Sequence, residues 1–177
     1  MTTTVYARVE SPLGELLLVG ETVADGPDAP GAGGTAGVRL RSLSMPGQKG
    51  GAVVQDGWRH APEAFAEAAR QLEAYFAGRS TRFDMPLAEG AGTEFQRRVW
   101  AALESIPYGS TVSYGEVAAR VGSSGAGVRA VGTAIGRNPL LVVRPCHRVI
   151  GADGALRGYA GGLERKKRLL GIEGGAG

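Results

Sequence analysis

The hydrophobic pattern of this chain changes period near Pro62, and that change limits the folds open to it. Before it, apolar residues come in short extended runs. Val5–Val9 and Glu15–Val19 flank Ser11-Pro12-Leu13-Gly14, a Pro/Gly turn signal that predicts a hairpin. Val38–Leu43 alternates less regularly and is read as a third strand. From Pro62 onward Phe65, Ala69, Leu72 and Phe76 recur at helical spacing, with Pro62 suited to the first turn and Gly78 to the end. Residues 1–90 therefore read as a small α+β unit. Between its second and third strands, Ala24–Gly37 is rich in Gly, Pro and Ala without a period, and reads as a flexible insertion. Gln48–Gly57 reads as a second loop.

Residues 91–177 read as short helices. Thr93-Glu-Phe-Gln96 and Ser113-Tyr-Gly-Glu116 are capping boxes. The first opens a helix with Phe95, Val99, Leu103 and Ile106 on one face, stopped by Pro107 and Gly109. The second opens a short helix with Val117, Ala118 and Val121 inward and Gly122 at its end. A small-residue turn, Ser123–Gly127, leads into Val128–Gly136, with Val131 and Ile135 on one face. Two short helices about a tight turn form a helix-turn-helix pattern, which also suits plain packing. The last helix, Leu163–Leu170, is expected to carry Arg165, Lys166, Lys167 and Arg168 on its outer, solvated side.

The 177 residues form one domain or two small ones, enough to bury about 70% of the unfolded surface. One cysteine excludes an intramolecular disulfide framework, and with two histidines it excludes a four-ligand Cys/His zinc site. No apolar run is long enough to span a bilayer, and the first residues lack the basic-then-apolar pattern of a secretion signal. A cytoplasmic protein with a reduced thiol is expected. Charge is uneven: residues 1–90 carry 8 Lys/Arg and 11 Asp/Glu (−3), and the remainder carry 12 and 6 (+6). That asymmetry suits either a polyanion partner for the second half or a solvated basic surface.

The chemistry concentrates at Asn138-Pro139…Pro145-Cys146-His147-Arg148-Val149. A lone intracellular cysteine is usually a buried small hydrophobe, but this one sits among cations, which favour the nucleophilic thiolate. Adjacent side chains diverge, so His147 would reach Cys146 through a bridging water. A carboxylate would then be needed to orient the imidazole, and spacing does not choose between Glu164 and Glu173.

Pro145-Cys146-His147-Arg148-Val149, with Asn138-Pro139 before it and Gly158-Tyr159-Ala160-Gly161-Gly162-Leu163 after it, resembles the methylated-DNA–protein-cysteine methyltransferases, the O6-alkylguanine-DNA alkyltransferases. The likeness runs back through Arg129-Ala130-Val131-Gly132, Ile106-Pro-Tyr-Gly109 and Ser113-Tyr114 to Thr93, and on to Glu173. Residues 1–90 match loosely, through Ser11-Pro12-Leu13-Gly14 and Leu72…Tyr75-Phe76.

The resemblance implies an α+β protein. Residues 1–90 would form a ribonuclease-H-like domain, and 91–177 a helical domain with a helix-turn-helix that binds DNA and accepts the alkyl group. It implies a methylated-DNA–protein-cysteine S-methyltransferase that acts once. The alkyl group of O6-alkylguanine, or of O4-alkylthymine, in double-stranded DNA would move irreversibly to the protein's own cysteine after base flipping through the minor groove. Cys146 matches the acceptor, His147 the base acting through water, Glu173 the carboxylate that orients it, and Tyr114 the phenol that protonates the leaving guanine. Asn138 matches the residue tying the helix-turn-helix to the acceptor segment, and Arg129 the finger that fills the vacated stack. Ala130, Gly132 and Ala134 are small, as close approach to a groove or tight helix packing requires. Tyr114 also belongs to the DNA-contacting set, and Val149, Tyr159 and Ala160 border the expected base pocket. No cofactor or metal is expected, nor membrane association, and the protein is expected to be a monomer.

The chain departs from the family in lacking the zinc ligands some members carry, and the 24–37 insertion has no counterpart. A lesion sensor that binds without transfer would lack Cys146, and a cysteine hydrolase would not need Arg129 or a basic half. Glu173→Gln is expected to weaken transfer without unfolding the protein.

Overall fold

A computed structural model describes residues 2–23, 38–123, 125 and 127–174. The expected insertion at 24–37 lies outside the described residues, as do two positions of the turn between the helix-turn-helix elements. The chain divides into two compact units, Met1–Gly47 with Gly51–Gly90, and Gln48–Gly50 with Ala91–Gly177.

The first unit is a four-stranded mixed sheet ordered β3-β2-β1-β4. Strands β1 (Thr2–Ser11) and β2 (Gly14–Val23) form an antiparallel hairpin in the register Ser11↔Gly14. The Ser11 hydroxyl holds the turn, donating to the Gly14 carbonyl and accepting from the Leu13 amide. Strand β3 (Val38–Ser44) adds antiparallel to β2, with a register shift at Val19/Gly20. The two-residue β4 (Arg59–His60) adds parallel to β1. Alternation puts Val5, Ala7, Leu16 and Leu18 in the core. A 3-10 turn, Pro62–Phe65, then leads into α1 (Ala66–Phe76), which brings Phe65, Leu72 and Tyr75 to that core. The aromatic buried at the end of α1 is Tyr75, not the expected Phe76, which packs edge-on against it with ring centroids 5.3 Å apart. Within α1 the buried side chains are Gln71, Leu72 and Tyr75, so the inward stripe passes through Tyr75 and leaves Phe76 at its edge.

The second unit is helical. Helix α2 (Glu94–Glu104) starts at the full Thr93/Gln96 capping box. Helix α3 (Tyr114–Arg120) starts where the Ser113 hydroxyl accepts the Glu116 amide; the expected reciprocal bond from the Glu116 side chain does not form. Helix α4 (Gly127–Gly136) completes a three-helix cluster with Val99, Leu103, Val117, Ala118, Val131 and Ile135 buried. The Trp100 indole donates to the Ala134 carbonyl at 2.9 Å, pinning α4 to α2. Ala134 is buried, so its small size serves this crossing and not a groove contact. Two short strands, β5 (Val112–Ser113) and β6 (Val149–Ile150), pair in parallel. They hold the start of α3 beside the end of the cysteine segment. Helix α5 (Leu163–Ile172) closes the unit.

Leu103 is wholly buried, whereas Leu163 is 48% exposed. Leu103→Ala should therefore cost about 2–5 kcal/mol in denaturant unfolding, and Leu163→Ala within about 0.5 kcal/mol of nothing. Equal losses would mean the packing of the second unit is misplaced.

Candidate active site

The site is built on a loop of overlapping tight turns between α4 and β6. Asn138, buried at the end of α4, organises it. Its side-chain oxygen accepts the Leu140 amide at 3.0 Å, and its side-chain nitrogen donates to the Arg144 carbonyl at 3.0 Å. The Val143 amide reaches back to Leu141 at 2.8 Å around Val142, whose φ is +71°. A β-branched residue there costs about 1–3 kcal/mol and persists only where the surroundings impose it. Burial of Leu140, Leu141 and Val142 and the Asn138 bonds do so. A second tight turn, Cys146 amide to Arg144 carbonyl at 2.7 Å, delivers the cysteine into the 3-10 turn Cys146–Arg148.

That turn is buried, and its three side chains meet the end of α5. Glu173 accepts from His147 Nε2 at 2.7 Å on Oε2. The same carboxylate takes a two-pronged bond from Arg148, Nε to Oε1 at 2.8 Å and Nη2 to Oε2 at 3.0 Å. Arg148 Nη1 donates to the Ile106 carbonyl at 2.6 Å. Glu173 thus takes the orienting position; Glu164, the alternative that spacing left open, is exposed on the first turn of α5. Gly109, at φ +80°, lets the chain pass close by: a Cβ there would stand 3.4 Å from the Glu173 carbonyl oxygen.

Burial decides the resting protonation. It pushes the Cys146 thiol up to about 11, against the smaller opposing effects of Asn138, Lys166 and Arg144. The expectation that neighbouring cations would favour the thiolate is therefore corrected: they are present, but desolvation wins. His147 is held below its usual range, first by burial, with Arg148 and Lys166 adding to it and Glu173 opposing. The resting pair is a neutral thiol and a neutral imidazole.

Lys166 corrects a second expectation. It does not lie on the solvated side of α5 but is wholly buried, its ammonium donating to the Arg157 and Gly158 carbonyls at 3.3 Å each. It sits 5.9 Å from the Tyr114 ring centroid, and burial lowers its pKa to about 8 while charge on Cys146 raises it. Tyr114 is half-buried, its hydroxyl 3.5 Å from the Gly158 carbonyl, and its pKa is raised by burial and by charge on Cys146. The structure therefore gathers Cys146, His147, Glu173, Tyr114 and Asn138 around one buried thiol.

Arg129 and Ala130 stand apart, exposed on α4. Gly132 on the same helix lies against Tyr114, where a Cβ would meet the ring at 3.9 Å. Val149 is wholly buried in β6, and Tyr159 and Ala160 are half-buried in the stretch before α5. Sequence reasoning missed two residues, Arg148 and Lys166. Arg148 could have been suspected, since a carboxylate orienting a buried histidine needs further donors. Among the described residues, no group of three or more His, Cys, Asp or Glu is placed to hold a metal.

The second unit thus sets a buried cysteine beside a histidine–carboxylate pair within a helix-turn-helix frame, and the same chain carries a small mixed-sheet unit. Two family models match it: the 6-O-methylguanine DNA methyltransferase ribonuclease-like domain over residues 39–88, and the DNA binding domain of the same name over residues 94–175. The methylated-DNA–protein-cysteine methyltransferase of Mycolicibacterium paratuberculosis is 49% identical, over 95% of this chain and 91% of that protein. That of Methanosarcina acetivorans is 48% identical, over 96% and 97%. The crystal structure of Mycobacterium tuberculosis OGT in complex with DNA superposes with a TM-score of 0.78 at 45% identity, covering 96% of this chain and 92% of that one. The chain belongs to the methylated-DNA–protein-cysteine methyltransferase family.

Glu173→Gln leaves a buried Arg148 without its counter-charge, so it should cost about 3–5 kcal/mol of stability. This reverses the expectation of an undisturbed fold. Urea unfolding checks it, and a loss below about 1 kcal/mol would place the carboxylate in a wetter setting than described.

Proposed function

We propose that this protein reverses DNA alkylation by taking the alkyl group of O6-alkylguanine onto Cys146 in a single, irreversible turnover. The observation that carries the reading is the buried Cys146–His147–Glu173 set, in which the His147–Glu173 bond is 2.7 Å. A soft sulfur nucleophile suits attack on an alkyl carbon. The carbon–oxygen bond to guanine O6 breaks, its electron pair stays with guanine, and a thioether forms. The thiol proton passes through a water to His147. Tyr114 gives a proton to the leaving guanine, and the imidazolium proton makes up the phenol's loss. The net proton movement is from thiol to guanine. Nothing in the set attacks the thioether afterwards, so the protein is consumed.

The neutral resting thiol fits a protein that waits. With a pKa of about 11, ionising Cys146 at neutral pH costs about 5 kcal/mol. That cost shields the thiol from stray electrophiles, and the relay supplies the thiolate only as reaction proceeds. The cation of Lys166 is placed to balance the anion transiently formed. An alkylated base inside a duplex is out of reach and must be extruded, at a few kcal/mol. The exposed Arg129 on α4 is suited to fill the gap, because its guanidinium both stacks and hydrogen-bonds. Ala130 and Gly132 let the same helix approach the minor groove closely.

Cys146→Ala should abolish uptake of labelled methyl groups while binding to alkylated duplex persists; continued uptake would end this reading. Arg129→Ala should slow repair of duplex DNA about tenfold for each 1.4 kcal/mol of lost support for flipping. Reaction with free O6-alkylguanine base should be unchanged. Equal slowing with both substrates would make Arg129 a structural residue.

A further inference from the structure

We propose that Arg148 is a positioning residue that sets both the tautomer and the basicity of His147 by acting through Glu173. The inference rests on the reading of Cys146 as acceptor and adds a residue to it. Arg148 is fixed from three sides. Its fork grips both Glu173 oxygens at 2.8 and 3.0 Å, and its third nitrogen donates to the Ile106 carbonyl at 2.6 Å. Its guanidinium lies 5.7 Å from the centroid of the Tyr108 ring, and the Tyr108 hydroxyl donates to the Ile172 carbonyl at 3.2 Å, one residue before Glu173. The guanidinium is therefore bound to the end of the α2 segment, to the loop that follows it and to the end of α5.

Two consequences follow for His147. A carboxylate gripped by a guanidinium stays ionised and can only accept hydrogen bonds. The proton of neutral His147 must then sit on Nε2, facing Glu173, which leaves the lone pair on Nδ1. Nδ1 is buried without a hydrogen-bond partner from the protein, as an atom reserved for a proton arriving from the thiol would be. The second consequence is electrostatic. A buried carboxylate alone would favour the imidazolium, which has no lone pair left to accept the proton of Cys146. Arg148 offsets part of that charge. The ionisable groups around His147 are Glu173 and Lys166 from α5, and Cys146 and Arg148 from its own turn; of these, Arg148 and Lys166 act to keep it neutral and Glu173 acts against. Glu173 thus orients the histidine, while Arg148 adds to burial in keeping it neutral at rest.

The test is NMR titration of His147, made simple by there being only two histidines, together with the pH dependence of alkyl transfer. In Arg148→Met the His147 pKa should rise by about one unit or more. The acid limb of transfer should move upward by the same amount, with most of the rate recovered at alkaline pH. A merely structural role would instead lower the rate equally at every pH, with the histidine pKa unmoved, and that result overturns the proposal. Where the Met variant does not fold, Arg148→Gln decides. It keeps a hydrogen-bond donor beside Glu173 but removes the charge, so the His147 pKa should again rise and the acid limb of transfer should follow it. An unmoved histidine pKa with wild-type transfer overturns the proposal. Unmutated protein is assayed alongside. If it fails to transfer, the proposed function is wrong whatever the histidine does; if it transfers and the variants leave His147 unmoved, only the role of Arg148 falls.

Discussion

The second unit depends on one buried carboxylate. Glu173 collects three hydrogen bonds from two neighbouring residues, and through Arg148 it reaches the end of α2. Such a charge is expensive to bury alone and tolerable only when fully paired. The pairing therefore works in both directions. It fixes the end of α5 against the cysteine turn, and it requires that turn to hold its shape, because a displaced His147 or Arg148 would leave the carboxylate short of donors. The strained backbone at Val142 is held in the same way, by the Asn138 bonds on one side and the buried turn on the other.

From that constraint comes the character of the thiol. Cys146 is buried, and the cations of Lys166 and Arg144 lie close enough to matter but do not outweigh desolvation. A multiple-turnover cysteine enzyme gains from a thiolate that is always ready. A protein that reacts once gains from a thiol that ionises only when the base and the leaving group are both in place. Lys166 fits this arrangement: its own pKa falls to about 8 by burial and rises with charge on Cys146, so its ammonium and the thiolate support one another.

Local rules made much of this legible in the sequence. The Ser11-Pro12-Leu13-Gly14 turn, the Thr93/Gln96 cap and the Gly122 helix end depend on residues a few positions apart, and each forms as read. The segment around Cys146 was legible as chemistry because a cysteine between Pro145 and His147 is an odd choice for plain core. What was not legible depends on distant partners. Lys166 reads as solvated because helical charge runs usually are, yet carbonyls of Arg157 and Gly158 draw it inside. Arg148 reads as one more cation near a thiol, and its grip on Glu173, 25 residues on, is a tertiary fact. Tyr75 and not Phe76 enters the core because the buried stripe of that helix runs through Gln71 and Leu72, four and three residues before Tyr75, and Leu72 suits either aromatic by spacing alone.

The central claim is that one alkyl group passes to Cys146 and stays there. Protein incubated with an excess of duplex carrying O6-methylguanine can be weighed intact and mapped by peptide. The account predicts one added methyl per chain, confined to the peptide containing Cys146, with repaired guanine formed in equal amount and reaction then ceasing. Repair continuing beyond one equivalent, or methyl groups recovered on another residue, would contradict it.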